Sequence, residues 1–463
     1  MLVQFAAASV TCEWGCGMPA GRKKILLVGT DARTDALAAA CLASSSHPQL
    51  FAYAELRSPG LLEKCEGRVE VGAVTDVAAI VDHVRTIAPD LVIVGPEGPL
   101  GAGLVDAILE LDICCFGPRK LLAQVETSKI WTRTVAARHQ VPGAPRFAVV
   151  HERAELRPVL EAFADFVVKP DGLTGGKGVR VFGEHLTTID EAVAYALEIL
   201  DGDGRVLIEE RLTGQEFSLM SITDGATVVH CPVVQDHKRA FDGDTGPNTG
   251  GMGSYSCADF GMPFLTAADL AQARAINEQM VRALRLETGL PYQGVLYGGF
   301  MATADGIRLI EYNARFGDPE AMNVLPLLES DFVDICEAVA TRRLAHVPVR
   351  FAHKATVCKY VVPLAYPGGE GVGDAVSVPA AVKAIEHLSY YWAAVELVDG
   401  QPMLTGSRAL AFTGIGDTLA EAEHLAERGA ASVQGPVRYR RDIGTAAAVA
   451  RRTEQMSALR ASQ

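Results

Sequence analysis

The sequence predicts an α/β fold in parts: an N-terminal unit on a parallel sheet, a two-part α+β unit in the middle, and a small β-rich unit at the end. Three observations carry this. At 463 residues the chain exceeds what one hydrophobic core holds. From Lys24, continuous apolar runs alternate with helix-length segments, the pattern of strands covered on both faces by crossover helices. From Arg146 the apolar runs are joined by glycine-bearing turns, which points to antiparallel pairing.

The elements follow in order. "KILLVG", "LFAYAEL", "DLVIVG" and "DICCFG" read as strands; "TDALAAACLAS", "DVAAIVDHVRTIA" and "AGLVDAILEL" read as the helices between them. Ligands on such sheets bind beyond the carboxyl ends of the strands. "GTDART" and "GPEGPLGAG" are placed there. "SKIWTRTVAARHQV" is a helix ended by Pro142. "RFAVV", "FVVKP", "VRVFG", "RVLIEERL" and "EFSLMSI" are strands, and a long helix is expected over 267–288. "GVLYGGFMATADGIRLIEYNARFGDPE" reads as a hairpin turning at Asp305-Gly306. The tail "TAAAVARRTEQMSALRASQ" is expected to be helical or frayed.

Hydrophobic residues make up 49% of the chain and charged residues 21%, an ordinary globular balance. The net charge of −14 argues against a nucleic-acid or anionic-membrane partner, and no apolar run has transmembrane length. The ten cysteines form no CxxC pair and no His/Cys array, so a reducing cytoplasm is expected, without zinc. Residues 1–21 lack a basic leader region and read as a poorly ordered extension.

Four stretches can carry chemistry. In "KPDGLTGGKGV" (169–179) glycines and lysines could face phosphate, but the spacing is not that of a Walker loop. Strands flank it, so it reads either as a nucleotide lid or as a tight hairpin with a solvated lysine. In "VLIEERLTGQEFS" (206–218) a strand edge at Glu209-Glu210 could pair with adenine, and Glu216 could accept from a ribose; surface carboxylates beside a hairpin are the alternative. In "LIEYNARFGDPEA" (309–321) Glu311 and Asn313 alternate along a strand and share a face, a donor pair suited to Mg²⁺. Arg315 could reach a terminal phosphate, with Asp318 and Glu320 nearby. In "KRAFDGDTGPNTGGMGSYS" (238–256) Lys238 and Arg239 supply positive charge, glycines expose backbone N–H groups, and Asp236 precedes them. So long a structureless stretch between strands is expected to be functional.

With these motifs in this order the sequence resembles the ATP-grasp ligases, and among them the phosphoribosylamine–glycine ligases. "QDHKRAFDGDTGPNTGGMGSYS", "KPDGLTGGKGV", "IEERLTGQEFS", "GVLYGGFM" and "EYNARFGDPE" carry the resemblance, which spans about 24–444. The resemblance implies an ATP-grasp architecture: an N-terminal domain (22–125), an ATP-grasp domain (126–349) with a mobile lid (146–212), and a C-terminal domain (350–444) before a tail (445–463). It implies ATP and Mg²⁺ (or Mn²⁺) as cofactors. Lys169, Gly175, Gly176, Lys177 and Gly178 would contact ATP phosphates. Glu209, Glu210 and Leu212 would flank the adenine, Glu216 would hold the ribose, and Asn313 would reach both ATP and the metal beside Glu311. Asp236, Lys238, Arg239 and Gly250-Gly251-Met252-Gly253 would line the acceptor site, with Gly95, Pro96, Glu97 and Arg33 on the amine side. Arg315, Asp318 and Lys238 would be catalytic, Asp318 as a proton acceptor.

The implied reaction joins glycine to 5-phosphoribosylamine through an acyl phosphate in purine biosynthesis. Its partners are small molecules, an amino-acid carboxylate and an amine, in a cytoplasmic monomer or homodimer. Two stretches depart from the family. "GTDARTDAL" replaces a glycine-rich turn, placing Asp31 where it would repel a sugar phosphate, and "YYWAAVELVDGQ" stands where a His-Ala-Gly-Thr run is usual. They leave open a ligase joining another amino acid to another amine. A nucleotide-binding regulator without catalysis would need a broken lid or metal motif, and neither is broken.

Overall fold

The computed structural model describes residues 22–173, 178–368 and 372–462. The extension expected over 1–21 lies outside the described residues. The N-terminal sheet contains β1 (Lys24–Val28), β2 (Gln49–Ala54), β3 (Val69–Val71), β4 (Leu91–Val94) and β5 (Cys114–Phe116). All pairings are parallel, in the order β3-β2-β1-β4-β5. The sequence reading missed β3, an edge strand of only three residues with two of them exposed. Strand order reverses at β1, so the loops after β1 and β4 lie side by side. A Cβ on Gly29 would fall 2.3 Å from Thr34 Oγ1 and 2.7 Å from Pro96 Cδ. Only glycine lets the two loops approach so closely.

The segment expected to act as a lid forms its own sheet of β6 (Phe147–Val150), β7 (Phe166–Lys169), β8 (Arg180–Val181) and β9 (Val206–Glu210), in the order β6-β9-β7-β8. Helices Arg153–Phe163 and Ile189–Asp203 connect its strands, where the sequence suggested glycine turns. Their apolar faces, including Leu156, Leu160, Ala192 and Ala196, build a core with Phe166, Val168 and Ile208 that is separate from the main one.

The next sheet runs β11-β10-β16-β17, from β10 (Gln215–Thr223) and β11 (Val228–His230) to β16 (Gly294–Thr303) and β17 (Gly306–Asn313). Helix Ala267–Thr288 lies against it; its buried Asn277 Nδ2 donates to Leu219 O at 3.0 Å. Between β11 and β16 come β12 (Gln235–Asp236), β13 (Arg239–Phe241), β14 (Thr245–Asn248) and β15 (Gly253–Ser256). The stretch expected to be structureless is therefore partly a hairpin, β13 pairing with β14.

The C-terminal part adds β18 (Ala355–Pro363), β19 (Leu388–Trp392), β20 (Val395–Val398), β21 (Gln401–Leu404), β22 (Leu410–Gly416) and β23 (Val437–Arg438). Strands β12 and β15 join this sheet, in the order β12-β15-β18-β22-β19. Gly253 is opposite Lys359, and a Cβ there would strike Cys358 O at 2.2 Å. The glycine loop is thus sewn into the C-terminal sheet. The tail is a helix, Ala446–Ala461, with Met456 buried.

Candidate active site

Strand β17 sets the geometry. Glu311 and Asn313 lie opposite Gly299 and Tyr297 of β16, so they project from one face while buried Tyr312 projects from the other. A bulge at Ile310 precedes them. Glu311 lines a cleft with Glu216, Asp236, Lys238, Tyr297 and Gly299. Lys238 Nζ is 3.3 Å from Glu216 Oε2 and 3.8 Å from Glu311 Oε1. Burial works to raise the Glu311 pKa, but Lys238, Lys169, Lys129 and Arg315 outweigh it and hold the carboxyl below its ordinary range. Glu216, opposed by burial and helped by Glu311, holds Lys238 charged. One carboxylate and one amide oxygen suit Mg²⁺ whose remaining ligands are phosphate and water. Among the described residues no group of three or more His, Cys, Asp or Glu side chains forms a self-sufficient cage.

A buried triad ties β7 and β9 to the helix Lys129–Arg138. Arg133 Nε and Lys169 Nζ each lie 2.5 Å from a Glu209 oxygen, and Arg133 also donates to Ile310 O in the bulge. Despite burial, the two cations hold the Glu209 carboxyl at about 2. Strand β9 is interior, pairing β6 on one side and β7 on the other through Glu209. The β6 ladder ends with Phe147 opposite Glu209, so of the strand edge offered to an adenine by the sequence reading only the Glu210 end lies beyond that pairing. The Glu210 carboxylate accepts from Arg146 N at 2.7 Å and pairs with Arg308. Leu212 lies just past this ladder, and Glu216, the second residue of β10, lies beside Lys238. Gly178 O accepts from Tyr195 Oη at 2.7 Å. Gly175, Gly176 and Lys177 lie outside the described residues.

The glycine loop closes the opposite wall. Gly251 adopts φ +109°, and a Cβ there would lie 2.6 Å from Pro319 Cδ and 2.8 Å from Asp236 Oδ1. Gly250 precedes it, and Met252 is buried. Burial, then Glu320, raises the Asp236 pKa against the pull of Lys238. Arg239 turns away from the cleft, donating to Gly246 O at 3.0 Å and lying 3.7 Å from Glu184 of the lid. Asp318 accepts from Tyr360 Oη at 2.6 Å and lies 3.3 Å from Arg408. These partners occupy Oδ1, while the buried Oδ2 has no hydrogen-bond partner among the described residues. Sequence reasoning missed Arg408, Arg133 and Glu126, since their partners are brought to them only by the tertiary fold.

After β4, Gly95 and Pro96 lead into a short helix beginning at Glu97. Arg33 is buried, donating to Phe316 O at 2.8 Å and pairing with Asp31. The Asp31 carboxylate caps the helix Ala32–Leu42 through Thr34 N at 2.8 Å, and against burial Arg33 holds its pKa down. The expected repulsion by Asp31 is therefore neutralised within the protein, and the Arg33 guanidinium is largely committed. Arg315 lies 3.2 Å from Glu97 and 2.7 Å from Glu126. Burial pushes Glu126 up to about 7 although Arg315 opposes it.

Three family models match in sequence. The N, ATP-grasp (A) and C domains of phosphoribosylglycinamide synthetase cover residues 23–126, 127–321 and 356–446. The chain belongs to the phosphoribosylglycinamide synthetase family. Within this family, the phosphoribosylamine–glycine ligase of Methanocella arvoryzae is 46% identical over 94% of this chain and 100% of its own length. That of Methanosarcina barkeri is 44% identical over the same shares. The crystal structure of phosphoribosylamine–glycine ligase from Thermotoga maritima superposes with TM-score 0.74 at 26% identity, covering 90% of this chain and 99% of that one. The biotin carboxylase domain of Hydrogenobacter thermophilus 2-oxoglutarate carboxylase shares the fold, with TM-score 0.69 at 15% identity and 94% coverage of both chains. The ATP-grasp family membership thus agrees with the fold read from the sequence.

Proposed function

We propose that this chain is an ATP-dependent carboxylate–amine ligase that joins glycine to 5-phosphoribosylamine, yielding glycinamide ribonucleotide, ADP and phosphate. The observation that carries the reading is the placement of Glu311 and Asn313 on one strand face beside Lys238, in a chain matched along its length by ligases of that name. Neutralisation of Asp31 by Arg33 supports the same amine, since that carboxylate is paired within the protein.

A glycine carboxylate oxygen attacks the γ-phosphorus of ATP, the bond to the bridging oxygen breaks, and ADP leaves. The amine nitrogen then attacks the acyl carbon, the C–O bond to phosphate breaks, and the proton released from nitrogen passes to the departing phosphate or to solvent. Mg²⁺ (or Mn²⁺) held by Glu311 and Asn313 would draw charge from the triphosphate. Lys169, beside Glu209, adds positive charge from the lid, and Lys238 adds it from the opposite wall. Glu311, ionised by its lysine neighbours, is ready to bind a cation at neutral pH. The lid, with its own core, is built to move as a unit over the cleft and keep water from the acyl phosphate. Leu212, at the end of the lid sheet, is where the adenine would rest. Arg315, fixed by Glu97 and Glu126, would hold the 314–318 loop at the phosphate end. The cysteines described here are free, in keeping with a cytoplasmic enzyme.

The test is a coupled assay of ADP formation with ATP, Mg²⁺, glycine and freshly generated phosphoribosylamine. ADP should appear only when both the acid and the amine are present, with glycinamide ribonucleotide detected by mass. ADP release that needs neither co-substrate would overturn the assignment.

A further inference from the structure

Arg408, in the turn between β21 and β22, reaches across to the glycine loop. Its Nη1 donates to Gly250 O at 2.7 Å, Gly251 O at 3.1 Å and Asp318 O at 3.0 Å. The guanidinium carbon lies 4.4 Å from the Tyr360 ring centroid. One nitrogen thus serves the whole protein anchor. Nε and Nη2 donate to no described residue, although the side chain is only 16% exposed. Both nitrogens stay open to solvent, so a ligand can reach them without displacing a protein partner.

The free edge is also kept clear. A Cβ on Gly250 would lie 3.2 Å from Arg408 Cζ, 3.3 Å from Nη2 and 3.4 Å from Nε. Any side chain at Gly250 would crowd that edge. The Tyr366 hydroxyl lies 3.5 Å from Gly250 N, and Gly251 rests against Asp236 of the cleft. Nε and Nη2 together form a planar fork that matches two oxygens of one anion.

We propose that Arg408 is a substrate-binding residue whose free edge takes two oxygens of an anionic substrate group, the amino-acid carboxylate or the phosphate of the amine. This rests on the ligase reading above. The substitution R408K tests it: a lysine retains one cation for the carbonyls but has no second edge. KM is measured separately for glycine, phosphoribosylamine and ATP, with Tm. We expect KM for one anionic substrate to rise at least tenfold, with KM for ATP within twofold and Tm nearly unchanged. A rise for glycine assigns the carboxylate; a rise for phosphoribosylamine assigns the phosphate. Unchanged KM values, or a joint rise of all three with a lower Tm, would overturn the proposal. Titration calorimetry with glycine and with ribose 5-phosphate makes the same comparison without turnover. Wild-type protein that binds one of them while making no product would sink the ligase reading alone. Wild-type protein that binds neither, or R408K that binds as tightly as wild type, would sink the Arg408 proposal.

Discussion

Replacing Glu209 by Gln tests the lid. The carboxylate is 2% exposed and holds Arg133 and Lys169, both nearly buried. Glutamine keeps the volume but leaves two cations without their counter-charge. Breaking a buried ion pair on one side typically costs about 3–5 kcal/mol. Linkage gives a similar figure. A carboxyl held at about 2 against an ordinary 4.5 contributes about 3 kcal/mol at neutral pH. Its folded pKa is depressed, so this stability is present above about 4.5 and is lost as pH falls through 2. E209Q should therefore lower the urea midpoint of the lid at pH 7, followed by hydrogen exchange in β7 and β9, and should flatten the acid limb of stability. A neutral-pH loss under about 0.5 kcal/mol, or an acid limb as steep as that of wild type, would refute the triad's role.

Gly251→Ala puts a Cβ 2.6 Å from Pro319 Cδ at φ +109°, so the glycine loop should shift and turnover should fall at least tenfold in steady-state kinetics. Truncation after Thr445 removes the contacts of Arg452 Nη2 with Asp244 and Arg460 Nη2 with Asp269, each 2.7 Å. Limited proteolysis with mass spectrometry should then find new cleavage between Phe241 and Thr245, and an unchanged digestion pattern would count against this role of the helix.

Much of the site was legible because it is local. The alternation of Glu311 and Asn313 and the turn at Asp305-Gly306 follow from strand periodicity alone, and helix Ala267–Thr288 spans the predicted residues. Two lid helices escaped notice for different reasons. Arg153–Phe163 contains Pro158, which argues against a helix interior. Ile189–Asp203 carries a capping box at Thr188 and Glu191, a signal that was there to be read. Charge partners were the real blind spot. Nothing in "GTDART" says that Asp31 caps a helix and pairs with Arg33 rather than facing solvent. Nor does Glu209 announce that it is buried between Arg133 and Lys169. Arg408 meets Gly250 only because β15 pairs with β18 and β18 with β22.

The most direct measurement is ADP formation by Glu311→Gln, titrated with Mg²⁺ at saturating glycine and amine. If Glu311 grips the ion beside the triphosphate, the rate should fall by about 10²-fold or more, in line with the loss of other transition-state charge stabilisers, while circular dichroism and Tm stay near wild type. A folded E311Q protein turning over within threefold of wild type, with the same Mg²⁺ dependence, would contradict the account.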